Sequence, residues 1–334
     1  MPSAMFRPSA RAVAASAFLA LASWLVVPGI ANAAPVCHRP AAPASLGPLQ
    51  AVMSTGRFIA YQPTQIKFHD GVATKADEAG IEADLRALRD RFDGLVTYSA
   101  ANGAEKVADV AARLGFRAVI IGIWSFDDPR EVQNAIAAAK RQPRVVAGFS
   151  VGNERIFAKE RSIEALTSRI RALRAQVPSV PLTTTEPFHI FVPPGARSLL
   201  GEMDFMLANV HPVFQPWFAG ANDADAARFV VNVVGELARE YCGPILVKET
   251  GVPTAPVSPG FSPQRQASFF AELRRQFPPS RERAFAYFSA FDAAWRVTDS
   301  HPGVTTPQPQ EGSWGLWEEN RRPKPAAQAL PPLR

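Results

Sequence analysis

The sequence predicts an α/β fold, a single-domain (β/α)8 TIM barrel, on three observations. Eight short apolar segments alternate with amphipathic helical segments, which is typical of a parallel sheet, and a count of eight predicts that the sheet closes. Acidic residues stand at the ends of two of these segments, where barrel enzymes carry their chemistry. No strand-to-helix turn carries a Gly-x-Gly-x-x-Gly or phosphate-binding loop, which disfavours the runner-up, an open doubly wound sheet.

The predicted strands and helices follow one another from residue 58 to residue 291. The helical segments carry apolar residues on one stripe, as at Ile81, Leu85 and Leu88. The strand segments are short, apolar and bounded by Gly, Pro or charged residues. The strands are predicted at 58–61, 94–98, 118–124, 144–154, 181–186, 204–212, 244–249 and 284–291, and the helices at 76–92, 106–114, 131–141, 162–177, 224–241 and 263–277.

Residues 1–33 are expected to be a secretory signal peptide. They combine a positively charged start, an apolar segment at 12–27 and a small-residue cleavage site at 31–33. The alternative, a membrane anchor, is disfavoured because the apolar segment is short and ends at Pro28. We therefore expect a secreted protein, periplasmic or extracellular, without stable membrane insertion after the signal is cleaved.

The remainder of the chain divides into three segments. Residues 34–50 are rich in proline and predict an N-terminal arm or linker, residues 51–321 the catalytic barrel, and residues 322–334 a Pro-rich C-terminal tail that lies loose or packs over the outside. This length suffices for one large core, and we expect a monomer. The net charge of +6 is dispersed along the chain, which indicates solvated helix faces and disfavours a nucleic-acid partner.

Cys37 and Cys242 are the only two cysteines. In an oxidising compartment they either form a disulfide that ties the arm to the floor of the barrel, or remain two free thiols. Zinc is disfavoured because the two segments offer too few ligands. The sequence predicts no metal and no cofactor, since neither a nucleotide loop nor a metal-ligand spacing is present.

Glu249 and Glu154 are the candidate catalytic residues. Glu249 ends an apolar strand, and Gly251 and Pro253 behind it force a turn, so that the acid should face a cavity lined by loops. Glu154 ends a segment of the same kind about three strands earlier. Either acid alone could be a salt-bridge partner. Together, without a histidine or cysteine cluster, they fit acid/base and nucleophilic chemistry at a glycosidic bond better than metal hydrolysis.

Polar and aromatic residues at the strand ends are candidates for binding a sugar. Asn153 has the right size to bind a sugar 2-hydroxyl, its alternative role being that of a turn-forming asparagine. Asn209 and His211 project to the same side of their strand, and His211 is either an active-site partner or a buried neutral histidine. Aromatic rings suit the apolar faces of sugars. The further candidates of this kind are Tyr61, Tyr98, Trp124, Glu186, Phe214, Trp217 and Trp295.

Five stretches of the sequence, in order, resemble glycoside hydrolase family 17. Each motif is short, but five in the family's order over nearly the whole chain make a chance match improbable. The stretches are residues 151–154, 204–212, 248–253, 288–296 and 311–316.

The resemblance implies a (β/α)8 barrel and a retaining mechanism on β-1,3-linked glucan. It implies that Glu154 is the general acid/base and Glu249 the nucleophile. Arg296 stands where the family usually has lysine, and Glu311 matches an acidic residue that lines the donor cleft. We therefore expect a β-glucan as the binding partner and both acids in one cleft.

The sequence also departs from the family's pattern. Thr250 and Val252 stand where serine and tryptophan are frequent, and Ala293 replaces a carboxylate, so the linkage preference stays open. Bacterial proteins of this kind include transglycosylases as well as hydrolases, which share the first half of the reaction. The alternative from another class is a non-catalytic glucan-binding protein on a barrel scaffold.

Overall fold

The computed structural model of this 334-residue chain describes residues 38–40, 44–257, 260–299 and 307–333. The predicted signal peptide, residues 1–33, lies outside these ranges. Within them, no helix is both long enough and apolar enough to cross a membrane.

The strands are short and rich in Val, Ile, Leu, Ala and Phe, as expected for a sheet that is covered on both faces. In chain order they are β1 (Phe58–Ala60), β2 (Phe68–His69), β3 (Val72–Ala73), β4 (Gly94–Val96), β5 (Ala118–Ile123), β6 (Val146–Asn153), β7 (Leu182–Pro187), β8 (Met206–Asn209), β9 (Ile245–Glu249) and β10 (Arg283–Tyr287).

Eight of these strands form a closed parallel barrel in the order β1, β4, β5, β6, β7, β8, β9, β10, and β10 pairs with β1. This confirms the predicted TIM barrel. The hairpin of β2 and β3, between the first barrel strand and its helix, was not predicted. All eight barrel strands point the same way, so their carboxyl ends meet at one mouth.

Helices cover the outside of the barrel, and five of them begin at a residue whose side chain accepts a hydrogen bond from the first turn: Asp77, Asp128, Ser162, Asn222 and Ser262. In chain order the helices are α1 (Gly47–Thr55), α2 (Glu78–Arg89), α3 (Val107–Arg113), α4 (Pro129–Arg141), α5 (Ile163–Gln176), α6 (Arg197–Leu200), α7 (Asp223–Glu240), α8 (Pro263–Gln276), α9 (Arg296–Asp299) and α10 (Pro325–Gln328).

Helix α1 differs from the sequence expectation, because residues 47–50, assigned to the arm, are its first turn. Leu49, Val52 and Met53 are buried against the inward-facing side chains of the barrel, among them Phe58. These apolar residues are spaced three and four apart, so they lie on one helix face. The end of the expected arm is therefore a plug at the bottom of the barrel.

The C-terminal tail packs against the barrel instead of lying loose. Lys324 Nζ donates to Asp292 Oδ1 at 2.7 Å, and Leu330 is buried. Farther along, the backbone N–H of Leu333 donates to the carbonyl of Asp90 at the end of α2. The tail also packs on α8 through α10. The tail thus lies on the outside of the barrel, against α8 and the end of α2.

The described part of the N-terminal arm is attached beside the start of β9. The backbone N–H of His38 donates to the carbonyl of Glu240, and the N–H of Cys242 donates to the carbonyl of His38. Cys242 is disulfide-bonded, so the free-thiol alternative is wrong for this residue. Its predicted partner, Cys37, lies outside the described residues.

Candidate active site

Two bulges adjust the strands that carry the candidate acids. On β9, Val247 is opposite Ala208 of β8 and Glu249 is opposite Asn209, so that Lys248 has no partner in the ladder. Strand β6 has a similar extra residue relative to β7, between Ser150 and Asn153. Because side chains alternate along a strand, an extra residue re-aims those beyond it. Both shifts occur just before an acid.

Asn209 links the two candidate catalytic acids. Its Nδ2 donates to Glu154 Oε1 at 2.7 Å, and its backbone is paired with Glu249 in the β8–β9 ladder. The backbone of Glu154 is held by a hydrogen bond from its N–H to the carbonyl of Thr185, with φ of +56°. The structure thus brings Glu154, Asn209 and Glu249 together at the mouth of the barrel.

The surroundings shift the pKa values of the two carboxyl groups in opposite directions. Burial and the negative charge of Glu249 raise the pKa of Glu154, against the opposing effect of the Asn209 hydrogen bond. Burial alone would also raise the pKa of Glu249. The hydrogen bond from His211 and the charge of Lys248 outweigh it and lower the pKa of Glu249 to about 2.

His211 combines the two roles that the sequence left open, because it is largely buried and also contacts an acid. Its Nε2 lies 3.4 Å from Glu249 Oε2, and donation there requires the tautomer with the proton on Nε2. The imidazole ring is held edge-on among Phe214, Phe288 and Trp314, at ring distances of 5.3 to 5.5 Å. This aromatic cage fixes the ring against Glu249.

Lys248 is a site residue that sequence reasoning missed. Its side chain is buried, and its Nζ donates to Asn153 Oδ1 at 2.6 Å and lies 3.8 Å from Glu249 Oε1. Burial lowers the pKa of Lys248 to about 8, although the charges of the neighbouring acids raise it. A lysine at the end of an otherwise apolar strand, directly before the acid, was the signal available in the sequence.

Within the part of the chain that the structure describes, several buried polar atoms near the mouth have no hydrogen-bond partner. Buried polar groups are normally paired, so a cluster of unpaired ones is typical of a site that binds a polar molecule. Tyr98 is in this cluster, and burial and the charge of Glu249 raise its pKa. The atoms are Tyr98 Oη, Asn209 Oδ1, His211 Nδ1, Thr250 Oγ1 and Trp314 Nε1.

Exposed aromatic rings lie on the loops around the mouth. Trp124, Phe214 and Trp217 are 38%, 60% and 40% exposed, and therefore accessible to a ligand. Phe157, in the loop after Glu154, is 52% exposed and was not predicted. Its signal was its position just beyond an Asn-Glu pair at the end of a strand. These rings offer flat apolar surfaces of the kind that sugars pack against.

Arg296 lies on the β10 side of the site. Its guanidinium group is 5.2 Å from the ring centre of Phe288 and 5.8 Å from that of Tyr98. Its positive charge is among the causes that lower the pKa of Glu249. Arg296 therefore acts on the site through its charge.

Trp295 and Glu311 lie near Arg296. The Trp295 ring packs at 5.0 Å from Phe68 of the β2–β3 hairpin, and Arg296 lies over its face at 5.4 Å. Glu311 is half-buried in a single 3-10 turn, Pro309–Gly312, whose backbone reaches Ala293. Both residues are placed beyond the end of β10.

Tyr61 and Glu186 were predicted to bind substrate, and the structure contradicts this. Tyr61 is fully buried and its hydroxyl donates to Asp84 Oδ2 at 3.0 Å. Glu186 is also fully buried, and its carboxylate accepts hydrogen bonds from the backbone N–H groups of Ile156 and Phe157. Both side chains are thus bonded to groups outside the barrel interior, which argues against contact with a ligand at the mouth.

Strand alternation explains both errors. Ala60 packs inside the barrel with Phe288 and Trp314, so the next residue, Tyr61, points outward. The Thr185 hydroxyl bonds to Ser150, and Glu186 follows on the opposite face. Burial raises the pKa of Glu186 to about 7, although its backbone hydrogen bonds lower it. Glu186 thus supports the loop that follows Glu154.

Among the residues that the structure describes, no group of three or more His, Cys, Asp or Glu side chains is arranged to hold a metal ion. The ionisable groups at the mouth interact with one another through hydrogen bonds and charge.

Replacing Glu249 with glutamine is expected to lower the pKa of Glu154. The pKa of Glu249 is about 2, so this acid is ionised wherever Glu154 titrates, and its charge disfavours ionisation of Glu154. Glutamine removes that charge at nearly constant volume. A carboxyl ¹³C NMR titration of the unmodified chain and of Glu249→Gln measures the titration midpoint of Glu154 in each. An unchanged midpoint would show that the two groups do not interact.

Comparisons with known proteins identify what this chain resembles. The family model of the BtgE/BtgC glycoside hydrolase domain matches residues 59–315. A glucan 1,3-beta-glucosidase of Saccharomyces cerevisiae is 22% identical over 167 residues. That match covers 45% of this chain and 52% of the yeast protein, so the chain spans about half the length of this curated relative.

Solved structures share the fold at low identity. A beta-1,3-glucanosyltransferase of Rhizomucor miehei, in complex with laminaritriose, superposes with a TM-score of 0.63 at 20% identity and covers 82% of this chain and 97% of its own. An endo-laminarinase from Formosa Hel1_33_131 gives a TM-score of 0.63 at 17% identity, covering 79% and 83%. With the family model, these matches confirm the resemblance to glycoside hydrolase family 17.

Proposed function

Because the chain belongs to the family of the BtgE/BtgC glycoside hydrolase domain, and is thus a glycosidase or transglycosylase, we propose that it cleaves β-1,3-linked glucan with retention of configuration. In this proposal Glu249 is the nucleophile and Glu154 the general acid/base. The observation that carries it is the pair of acids joined through Asn209, one with a raised pKa and the other with a pKa of about 2. Two acids with separated pKa values are what a retaining mechanism needs.

The reaction has two displacements. In the first, the Glu249 carboxylate attacks the anomeric carbon, the glycosidic C–O bond breaks, and the leaving oxygen takes the proton of Glu154. In the second, the Glu154 carboxylate removes a proton from water or a sugar hydroxyl. The oxygen of that acceptor attacks the anomeric carbon, and the Glu249 ester bond breaks.

The charge of Glu249 controls the proton on Glu154 during this cycle. While Glu249 is ionised, its charge helps to keep Glu154 protonated and ready to act as an acid. Once Glu249 is esterified, that charge is lost and the pKa of Glu154 falls, so the same group can serve as a base. His211 and Lys248 stabilise the carboxylate between turnovers.

A glucan is the proposed substrate because two further features support it. The similar proteins named above act on β-1,3-glucan or bind laminaritriose, as their descriptions state. In addition, exposed rings at Trp124, Phe157, Phe214 and Trp217 border the mouth, where an extended chain of sugars could pack. The acceptor in the second step is water or the hydroxyl of another glucan chain.

We also propose that the protein acts outside the cytoplasm. The predicted signal peptide at residues 1–33 motivates this, and the disulfide of Cys242 supports it because such bonds persist in oxidising compartments. Fractionation of the producing cells, followed by detection of the cleaved chain in the periplasm or medium, would test it. Recovery of uncleaved chain in the cytoplasm would contradict it.

The reducing end that hydrolysis of laminaripentaose creates at the cleaved bond is expected to have the β configuration, because two inversions at one carbon restore the starting geometry. Proton NMR during the first minutes, before mutarotation, measures the anomer. Mass analysis of the same mixture identifies the acceptor, since products longer than the substrate require transfer to a sugar. Initial release of the α anomer would contradict the two-glutamate mechanism, and no turnover would contradict the proposed substrate.

A further inference from the structure

Lys248 is a buried lysine in the barrel that the two displacement steps do not use. Its side chain is 1% exposed, and the β9 bulge leaves it unpaired in the β8–β9 ladder, one residue before Glu249. Burying an ammonium group is costly, and an apolar side chain of similar size is often as stable or more stable in such a place. A cation kept at this position is therefore a candidate for a functional role.

The contacts of the ammonium group identify its main partner. Nζ donates to Asn153 Oδ1 at 2.6 Å, whereas its distance to Glu249 Oε1 is 3.8 Å. The face of the Tyr98 ring covers it at 4.1 Å. A short hydrogen bond from a charged donor is among the stronger kinds in proteins, and 3.8 Å is too long for one. Asn153 is thus the residue that Lys248 holds most directly.

This hydrogen bond determines which way the Asn153 amide faces. A lysine ammonium group can only donate, so the amide must turn its oxygen toward Lys248. Its NH2 group then points away from Lys248 and remains available as a donor. Without the cation, rotation of the Asn153 amide by 180° would exchange its oxygen and nitrogen at little cost. The amide would then present sometimes a donor and sometimes an acceptor to a bound sugar.

We propose that Lys248 is a positioning residue that holds the Asn153 amide so that its NH2 group binds the 2-hydroxyl of the sugar at the cleaved bond. The inference rests on the proposed function. The anomeric carbon must lie between Glu154 and Glu249. Asn153 directly precedes Glu154 in the sequence, and it is hydrogen-bonded to Lys248, which directly precedes Glu249. The 2-hydroxyl, on the neighbouring ring carbon, is the sugar group adjacent to that position.

The positioning has a catalytic consequence. Hydrogen bonds to the 2-hydroxyl strengthen as the anomeric carbon gains positive charge, so they favour the transition state over the bound substrate. An amide free to rotate would lose part of this advantage. Lys248 therefore acts on the reaction through Asn153, and its effect should depend on whether the substrate has a 2-hydroxyl.

The test compares two substrates with four proteins. The substrates are 2,4-dinitrophenyl β-laminaritrioside and its analogue without the 2-hydroxyl on the sugar bonded to dinitrophenol. The proteins are the unmodified chain, Lys248→Met, Asn153→Ala and the double variant. Lys140→Met, at an exposed lysine on α4, is the matched control. Lys248→Leu provides a second apolar replacement should the methionine variant not fold.

We expect Lys248→Met to lower kcat/KM about 30-fold on the hydroxylated substrate and less than about 3-fold on the deoxy analogue. Asn153→Ala should show the same pattern, and the double variant should lose no more than the larger single effect. The melting temperature of Lys248→Met should not fall, since a buried charge is removed. Lys140→Met should match the unmodified chain.

Equal losses on the two substrates, or independent losses that multiply in the double variant, would overturn the positioning role. Either result would mean that Lys248 acts through the fold or on Glu249 directly. If the unmodified chain turned over neither substrate, the proposed function would fail, and the inference that rests on it would fall as well. The two failures are therefore distinguishable from the data of the unmodified chain.

Discussion

Glu249→Gln is expected to lower kcat/KM on laminari-oligosaccharides by about 10⁴-fold or more, because an amide cannot form the ester intermediate at a useful rate. The side chain keeps its size, so contacts with His211 and the cavity wall change little. Binding of laminaripentaose should stay within about 5-fold of the unmodified chain, since catalysis and ground-state binding depend on different interactions. Steady-state kinetics and calorimetric titration measure the two quantities.

Glu236→Gln is the matched control, because Glu236 is exposed on α7 and far from the candidate site in the fold. It should retain full activity. The same pair of measurements tests the alternative that the protein only binds glucan. A protein that only binds glucan would show no turnover, and the unmodified chain, Glu249→Gln and Glu236→Gln would bind laminaripentaose with equal affinity. Substantial turnover by Glu249→Gln would reject this residue as the nucleophile.

Glu154→Ala is expected to slow cleavage of natural laminari-oligosaccharides by about 10³-fold, the usual contribution of a general acid. The leaving sugar oxygen is a poor leaving group and needs the proton of Glu154. A dinitrophenolate leaving group needs no proton, so formation of the intermediate on dinitrophenyl β-laminaritrioside should be nearly unchanged. Pre-steady-state release of dinitrophenol measures this step.

The second half of the reaction gives a further readout of Glu154→Ala. Without the base, water attacks the ester slowly, and azide, which needs no deprotonation, should restore the rate and give a β-glycosyl azide. Glu164→Gln, at an exposed acid in the first turn of α5, is the control and should show neither effect. Equal loss on both kinds of substrate, without azide rescue, would argue against Glu154 as the acid/base.

The environment of the two acids explains why one fold can give them different tasks. Glu249 is placed among cationic groups and a histidine, which offset the cost of burying its charge. Glu154 is buried beside a negative neighbour, and these two effects raise its pKa against the opposing hydrogen bond from Asn209. The difference comes from three strands, since Glu154 directly follows β6, and Asn209 and Glu249 end β8 and β9. No single segment of the sequence contains all the residues that produce this difference in pKa.

The two errors and the missed lysine have a common origin. Tyr61 directly follows β1 and Glu186 stands near the end of β7, much as Glu249 stands at the end of β9, yet both face outward and are satisfied by Asp84 or by backbone N–H groups. A shift of one residue reverses the face of a side chain. The bulge next to Lys248 is such a shift, and strand periodicity gives no sign of where it occurs.

The amino-acid sequence by itself determined the barrel and the two strands that end at acids, because apolar runs, helix stripes and turn residues are local patterns. Only the tertiary structure decided which strand-end side chains enter the cavity, that Asn209 joins the acids, and that Lys248 holds Asn153. These depend on register and bulges between strands distant in the chain. Pairing of that kind is fixed by the packing of the whole barrel, so the sequence near each residue does not encode it.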